Sequence, residues 1–239
     1  MSDATRQLAL GALLSVVKQA WTKWNEVMLN IDTRSIPRMH NGSADSPRPW
    51  YRSPASDKAE HDDAHSTASP DYWYVRKVFR IVKPRPTDVI YDVGSGTGRI
   101  VCVVSRRRLR KCVGVELFEP LCDVARKNAS QLRGKKSPIE IICDDAARAN
   151  MSDGTIYFLF NPFGPGTMRD FIRNVYTSLS SNPRAITIIY YNAVYESILE
   201  AEGWLERYRH FHTARGLSVS FWRSPPLRGK LDGVSQSRH

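Results

Sequence analysis

An apolar run, Val89-Ile90-Tyr91-Asp92-Val93, passes directly into Gly94-Ser95-Gly96-Thr97-Gly98 and then into Arg99-Ile100-Val101. The run reads as a buried strand, the glycines as a tight turn, and the residues after them as the start of a helix. Glycine tolerates positive φ and lets the backbone approach a ligand closely, and the first N–H groups of the following helix have no partner within it. A strand, glycine turn and helix in this order place the chain in the α/β class and build a cradle for a nucleotide-like cofactor. Two such glycines also serve plain packing in many strand-to-helix turns, so the spacing has to discriminate.

Dinucleotide sites favour G-x-G-x-x-G, and the position of their third glycine is taken here by Arg99. The pattern is instead Asp-x-Gly-x-Gly-x-Gly, with Asp92, Gly94, Gly96 and Gly98 in register and Ser95 and Thr97 between them. In this the chain resembles the class I S-adenosylmethionine-dependent methyltransferases, whose first motif has the same order. The resemblance implies S-adenosyl-L-methionine as cofactor, with Asp92, Gly94, Ser95, Gly96, Thr97 and Gly98 around it.

A second apolar run, Cys112 to Val115, ends in Glu116. A carboxylate at that strand end, beside the glycine turn, accepts both hydroxyls of a ribose, or else caps the helix expected from Pro120 to Ala129. The ribose role is the one the family implies. A third strand, Ile139 to Cys143, runs into Asp144-Asp145-Ala146. By the family match Asp145 takes the adenine amino group and the Ala146 backbone the ring edge, with Asp144 the close rival; an ordinary acidic turn is the competing reading.

The fourth strand, Thr155 to Phe160, is apolar enough for burial on both faces and is followed by Asn161-Pro162-Phe163-Gly164. This is similar to the Asn/Asp-Pro-Pro-aromatic motif of amino-group methyltransferases, one proline short. The resemblance implies that Asn161 orients an amine acceptor and also lies at the cofactor, that Phe163 walls the transferred methyl, and that Tyr191 or Asn192 lines the acceptor pocket.

The remaining pattern is a helix from Thr167 to Leu179, a strand from Ala185 to Tyr191, a helix from Ala193 to Glu202, then two strands, Leu205 to Phe211 and Leu217 to Trp222, without a helix between them. The expected fold is therefore α/β: a Rossmann-like, doubly wound, mostly parallel seven-stranded sheet with an antiparallel edge strand, plus an N-terminal helix. Ligand residues at the C-terminal strand ends obey the crevice rule for such sheets.

Residues 71–224 carry this domain. Residues 1–34 read as an amphipathic helix, since Leu10, Leu13, Leu14, Val17, Trp21, Trp24 and Met28 recur at three- and four-residue steps; it packs on the domain or binds a partner. Residues 35–70, rich in Ser, Pro, Asp, Arg and His, read as a flexible linker, and 225–239 as a flexible basic tail. His61 and His65 in the linker have metal-like spacing, which its composition explains. Ahead of the first strand, Tyr72 to Val82 reads as a helix whose Tyr72 or Trp73 covers the cofactor by the family pattern, or simply packs on the sheet edge.

The apolar stretch from Leu8 to Val17 is short of the roughly 20 residues a membrane span needs, and no cleavage site follows it. Cys102, Cys112, Cys122 and Cys143 show no C-x-x-C spacing, so reduced core thiols, no metal and a cytoplasmic location are expected. A net charge of +11, with basic runs at 106–111 and 133–136, keeps a polyanion in view as a partner. The functional expectation is N-methylation of an amine, on a protein side chain or a small molecule, by direct displacement. The alternatives are an RNA methyltransferase or RNA-binding module on the same fold, and a cofactor-binding protein without turnover.

Overall fold

A computed structural model describes residues 3–34 and 70–224, with side chains from residue 15 in the first segment. Residues 35–69 and 225–239, which include His61, His65 and the expected linker and tail, lie outside the described residues. The elements are α1 (Asp3–Leu29), α2 (Tyr72–Val82), β1 (Val89–Val93), α3 (Arg99–Val104), β2 (Lys111–Glu116), α4 (Glu119–Gln131), β3 (Ile139–Cys143), β4 (Ile156–Phe160), α5 (Pro165–Ser181), β5 (Ile186–Tyr191), α6 (Glu196–Glu200), β6 (Glu206–His212) and β7 (Ser218–Ser224).

All seven strands form one sheet in the order β3-β2-β1-β4-β5-β7-β6. The first five pair in parallel, and β7 runs antiparallel between β5 and β6. The mostly parallel fold with an antiparallel pair at one edge is thus observed. The order reverses between β1 and β4, so a crevice opens there at the C-terminal strand ends.

Alternate strand residues feed two cores, as the two-residue period of a strand requires. Tyr91, Val93, Tyr157, Leu159 and Ile188 face Met168, Phe171, Ile172 and Val175 of α5. Ile90, Ile156, Phe158 and Ile189 face Val78 and Phe79 of α2 and Ile100 and Val104 of α3. Because helices cover both faces, β1 and β4 read as unbroken apolar runs in the sequence. Edge strand β6 is mostly exposed and alternates charges, Glu206, Arg207 and Arg209, which discourages pairing with a further strand.

Helix α6 is shorter than the expected 193–202. Asn192 adopts φ 54° and its carbonyl accepts the Val194 amide at 2.8 Å, so the chain turns before the helix can start. Helix α1 docks with its polar side inward: Asn25 is 1% and Glu26 4% exposed, whereas Trp21, Trp24, Val27 and Met28 are 43–63% exposed. The part of the apolar stripe whose side chains are described, Val17, Trp21, Trp24 and Met28, therefore faces outward. Among the described residues no helix is long and apolar enough to cross a membrane.

Candidate cofactor and acceptor site

Gly94, Gly96 and Gly98 all adopt left-handed φ values, 74°, 53° and 83°. The turn they make is tied to β2, since the Gly94 and Ser95 amides donate to the Val115 carbonyl at 2.9 and 3.0 Å. Gly94 also has no room for a side chain: a Cβ there would lie 2.3 Å from Cβ of Pro162. The β4 loop thus rests directly on the glycine turn, and Asn161 is brought beside it. Gly114 of β2 plays a similar part, because a Cβ there would meet the Ser95 hydroxyl oxygen at 2.7 Å.

Inside the turn, buried polar atoms lack partners. Asp92 is 2% and Ser95 5% exposed, yet Asp92 Oδ2 and Ser95 Oγ find no hydrogen-bond partner among the described residues. Such atoms are rare in a folded core and mark a place where something else binds. Burial, and after it the charge of Glu116, pushes the Asp92 carboxyl well above the usual carboxylate range. A buried acid perturbed in this way is a functional-site signature.

Glu116 is 7% exposed and occupied. Its Oε2 accepts the Gly96 amide at 2.8 Å, and its Oε1 accepts the Leu117 and Phe118 amides at 2.9 and 3.1 Å. Burial raises its pKa against the opposing pull of those three amides. The carboxylate therefore braces the glycine turn.

At the end of β3, Asp145 is 4% exposed and closes its own turn, its Oδ1 accepting the Ala147 amide at 2.9 Å. Asp144 is more exposed and its Oδ1 accepts the Asp145 amide at 2.7 Å. Ala146 beside them is buried and belongs to the core that faces α5.

At the end of β4, Asn161 adopts φ 41°, a conformation asparagine tolerates better than most residues. Its Oδ1 accepts the Tyr190 hydroxyl at 3.2 Å. Phe163 does not stand beside it as a wall: it is 6% exposed and packs in the core 6.1 Å from Phe171. Helix α5 starts at Pro165, and that early start draws Phe163 onto the helix's buried side. The rings at the strand ends are instead Phe160 and Tyr191, 4.9 Å apart, with Tyr74 at 6.0 Å from Tyr191. Neither Phe160 nor Tyr74 carries a local motif that would single it out.

Of the covering residues, Tyr72 is fully buried under the Arg99 guanidinium, 5.1 Å from its ring centroid, while Trp73 is 55% exposed. Glu119, Cys122 and Cys143 bring three donor atoms within 4.8 Å of one another. Glu119 pairs with Arg126 at 2.6 Å, and the thiols donate to the carbonyls of Glu116 and Leu117 at 3.5 and 3.8 Å.

Residues 70–137 match the sequence profile of a family described as histone methylation protein DOT1. Over 87 residues, 36% of this chain, the sequence is 28% identical to a protein-lysine N-methyltransferase of Saccharolobus islandicus; the match spans 53% of that curated relative, about half its length. Among solved structures, an RNA methyltransferase from Salinibacter ruber in complex with S-adenosyl-L-homocysteine superposes with a TM-score of 0.52 at 23% identity, covering 69% of this chain and 97% of that one. A human methyltransferase 10 domain containing protein superposes at 0.53 and 12% identity, covering 88% and 97%. Both likenesses are of fold.

Proposed function

We propose that the chain is a class I S-adenosylmethionine-dependent methyltransferase and that it transfers a methyl group to the nitrogen of an amine. The observation that carries the cofactor site is the pair of orphaned buried atoms, Asp92 Oδ2 and Ser95 Oγ, inside a turn of three left-handed glycines. We assign Asp92, Gly94, Ser95, Gly96, Thr97 and Gly98 to the cofactor's amino-acid and ribose portions, Glu116 to the ribose, and Asp145 with the Ala146 backbone to the adenine. Tyr72, stacked beneath the Arg99 guanidinium, we assign to the cover over the site.

The cofactor supplies an electrophilic methyl carbon on a sulfonium, and the chain supplies orientation and shelter from water. Asn161, its amide fixed by the Tyr190 hydroxyl, orients the acceptor nitrogen. When bound, the cofactor would supply the methyl group, the chain's residues would hold the acceptor nitrogen in line with it, and the proton that nitrogen loses would leave to water. The Asn-Pro sequence at the β4 end and the partial match to a protein-lysine N-methyltransferase support nitrogen as acceptor atom and a lysine side chain as acceptor class.

Calorimetry with S-adenosyl-L-methionine, followed by labelled-methyl transfer to a panel of lysine-bearing peptides, small amines and RNA, tests the reading. Binding lost in Gly96→Arg and label appearing on lysine are expected. Absence of binding removes the cofactor site, and label on RNA alone replaces the acceptor.

The affinity for the cofactor is also expected to depend on pH. Below its raised pKa, Asp92 carries a proton in the free protein, and binding of a donor or cation there must expel it. Below that pKa, affinity falls by about tenfold per pH unit as pH drops; above it, affinity is flat. Calorimetry across the acidic range checks this, and Asp92→Asn is expected to abolish the slope.

A further inference from the structure

Besides its ties to β2, the glycine turn is fastened by residues from far away in sequence. The Thr97 hydroxyl donates to the Thr33 carbonyl at 3.0 Å, and the Thr97 carbonyl accepts Asn128 Nδ2 at 2.9 Å. That same Asn128 amide donates to the Asp32 carbonyl at 2.7 Å and accepts the Asp32 backbone N–H at 2.9 Å. Arg99, the first residue after the turn, donates from Nε to the Thr33 hydroxyl at 2.8 Å and from Nη1 to the Pro70 carbonyl at 3.4 Å. Its Nη2 lies 3.5 Å from Glu26, whose Oε1 also accepts the Thr33 hydroxyl at 2.7 Å.

Asp32 is exposed and joins the network through its backbone, whereas the side chains that bind it are withdrawn from water: Asn128 is 1%, Thr97 1%, Glu26 4%, Thr33 5% and Arg99 7% exposed. A buried guanidinium and carboxylate are costly to desolvate and are tolerated only with full pairing and good geometry. Here the pairing encloses two residues, Asp32 and Thr33, held between α4 and the turn like a strap. Packing alone does not require so polar an arrangement. Its effect is to fix the Thr97–Gly98 peptide, where the glycine turn passes into α3.

We propose that Arg99 and Asn128 are positioning residues for the cofactor turn, acting through the strap formed by Asp32 and Thr33. The proposal rests on the methyltransferase reading for its functional consequence. It gives the N-terminal segment a role in cofactor binding, since α1 presents Glu26 and leads directly into the strap.

Hydrogen exchange read by mass spectrometry, without cofactor, tests it in Asn128→Ala, Arg99→Lys and the near-isosteric Thr33→Val, which spares the fold if the others do not. Deuterium uptake at 94–98 is expected to rise at least tenfold in the first two variants and severalfold in the third, with α5 peptides unchanged. Calorimetry on the same folded variants is expected to show S-adenosyl-L-methionine binding weakened tenfold or more. A role in stability alone would lower the melting temperature and leave turn exchange and affinity as they are, and that result overturns the proposal. Failure of the unaltered protein to bind cofactor overturns the methyltransferase reading instead, while exchange at the turn still decides the strap.

Discussion

Alanine in place of Asn161 is expected to lower the methyl-transfer rate by about a hundredfold or more while cofactor affinity stays within a fewfold of its starting value. The expectation follows from what the residue is attached to. Asn161 stands at the C-terminal end of β4 in a left-handed conformation, its amide oxygen held by Tyr190 from the next strand. Burial pushes the Tyr190 hydroxyl up to about 12, so at neutral pH it is a proton donor and fixes which end of the amide is the oxygen. Tyr190→Phe then loses part of the same rate, because the amide remains but its orientation is no longer enforced. Single-turnover kinetics at saturating cofactor separate the two effects from binding. A rate unchanged in Asn161→Ala would remove the residue from the acceptor site.

The part of this architecture legible in the sequence is the part encoded over short distances. The glycine turn and the four strands that end in ligand-type residues each carry their signal within about ten residues, and each is where the sequence pattern places it, while α5 starts two residues before the expected Thr167. Phe163 shows the limit. Its neighbours Asn161 and Pro162 mark a strand end, but nothing local says whether the next ring turns toward the crevice or into the core; α5 decides that, through Phe171.

Arg99 and Asn128 show the same limit from the other side. Asn128 sits in the last turn of α4 and meets Asp32 at a sequence separation of 96 residues, so no periodicity or motif flags it. Arg99 was visible only as a departure from the dinucleotide pattern, and its partners Thr33 and Glu26 lie more than sixty residues upstream. Helix α1 misleads for a related reason. Hydrophobic periodicity predicts which face is apolar, and a buried ion pair can still hold the opposite face to the domain.

Gly94→Ala is expected to be the most damaging single-methyl change in the domain. Two costs add. At φ 74° an L-residue pays roughly 1–2 kcal/mol for the left-handed backbone, and the new Cβ would sit 2.3 Å from Pro162 Cβ, where overpacking typically costs a further 1–3 kcal/mol. A total of about 2–5 kcal/mol is a large fraction of the stability of an ordinary domain. Pro162 has little freedom to yield, because its ring fixes its own φ and Asn161 before it is held by Tyr190. Relief must therefore come from moving the glycine turn away from β4, which separates the cofactor residues from Asn161. Thermal unfolding should show a lower midpoint, and the fraction that still folds should bind cofactor weakly. A second change, Pro162→Gly, removes the obstructing ring and is expected to recover part of the stability in the Gly94→Ala background, the backbone strain remaining. Additive losses in the double variant would show that the two loops do not touch.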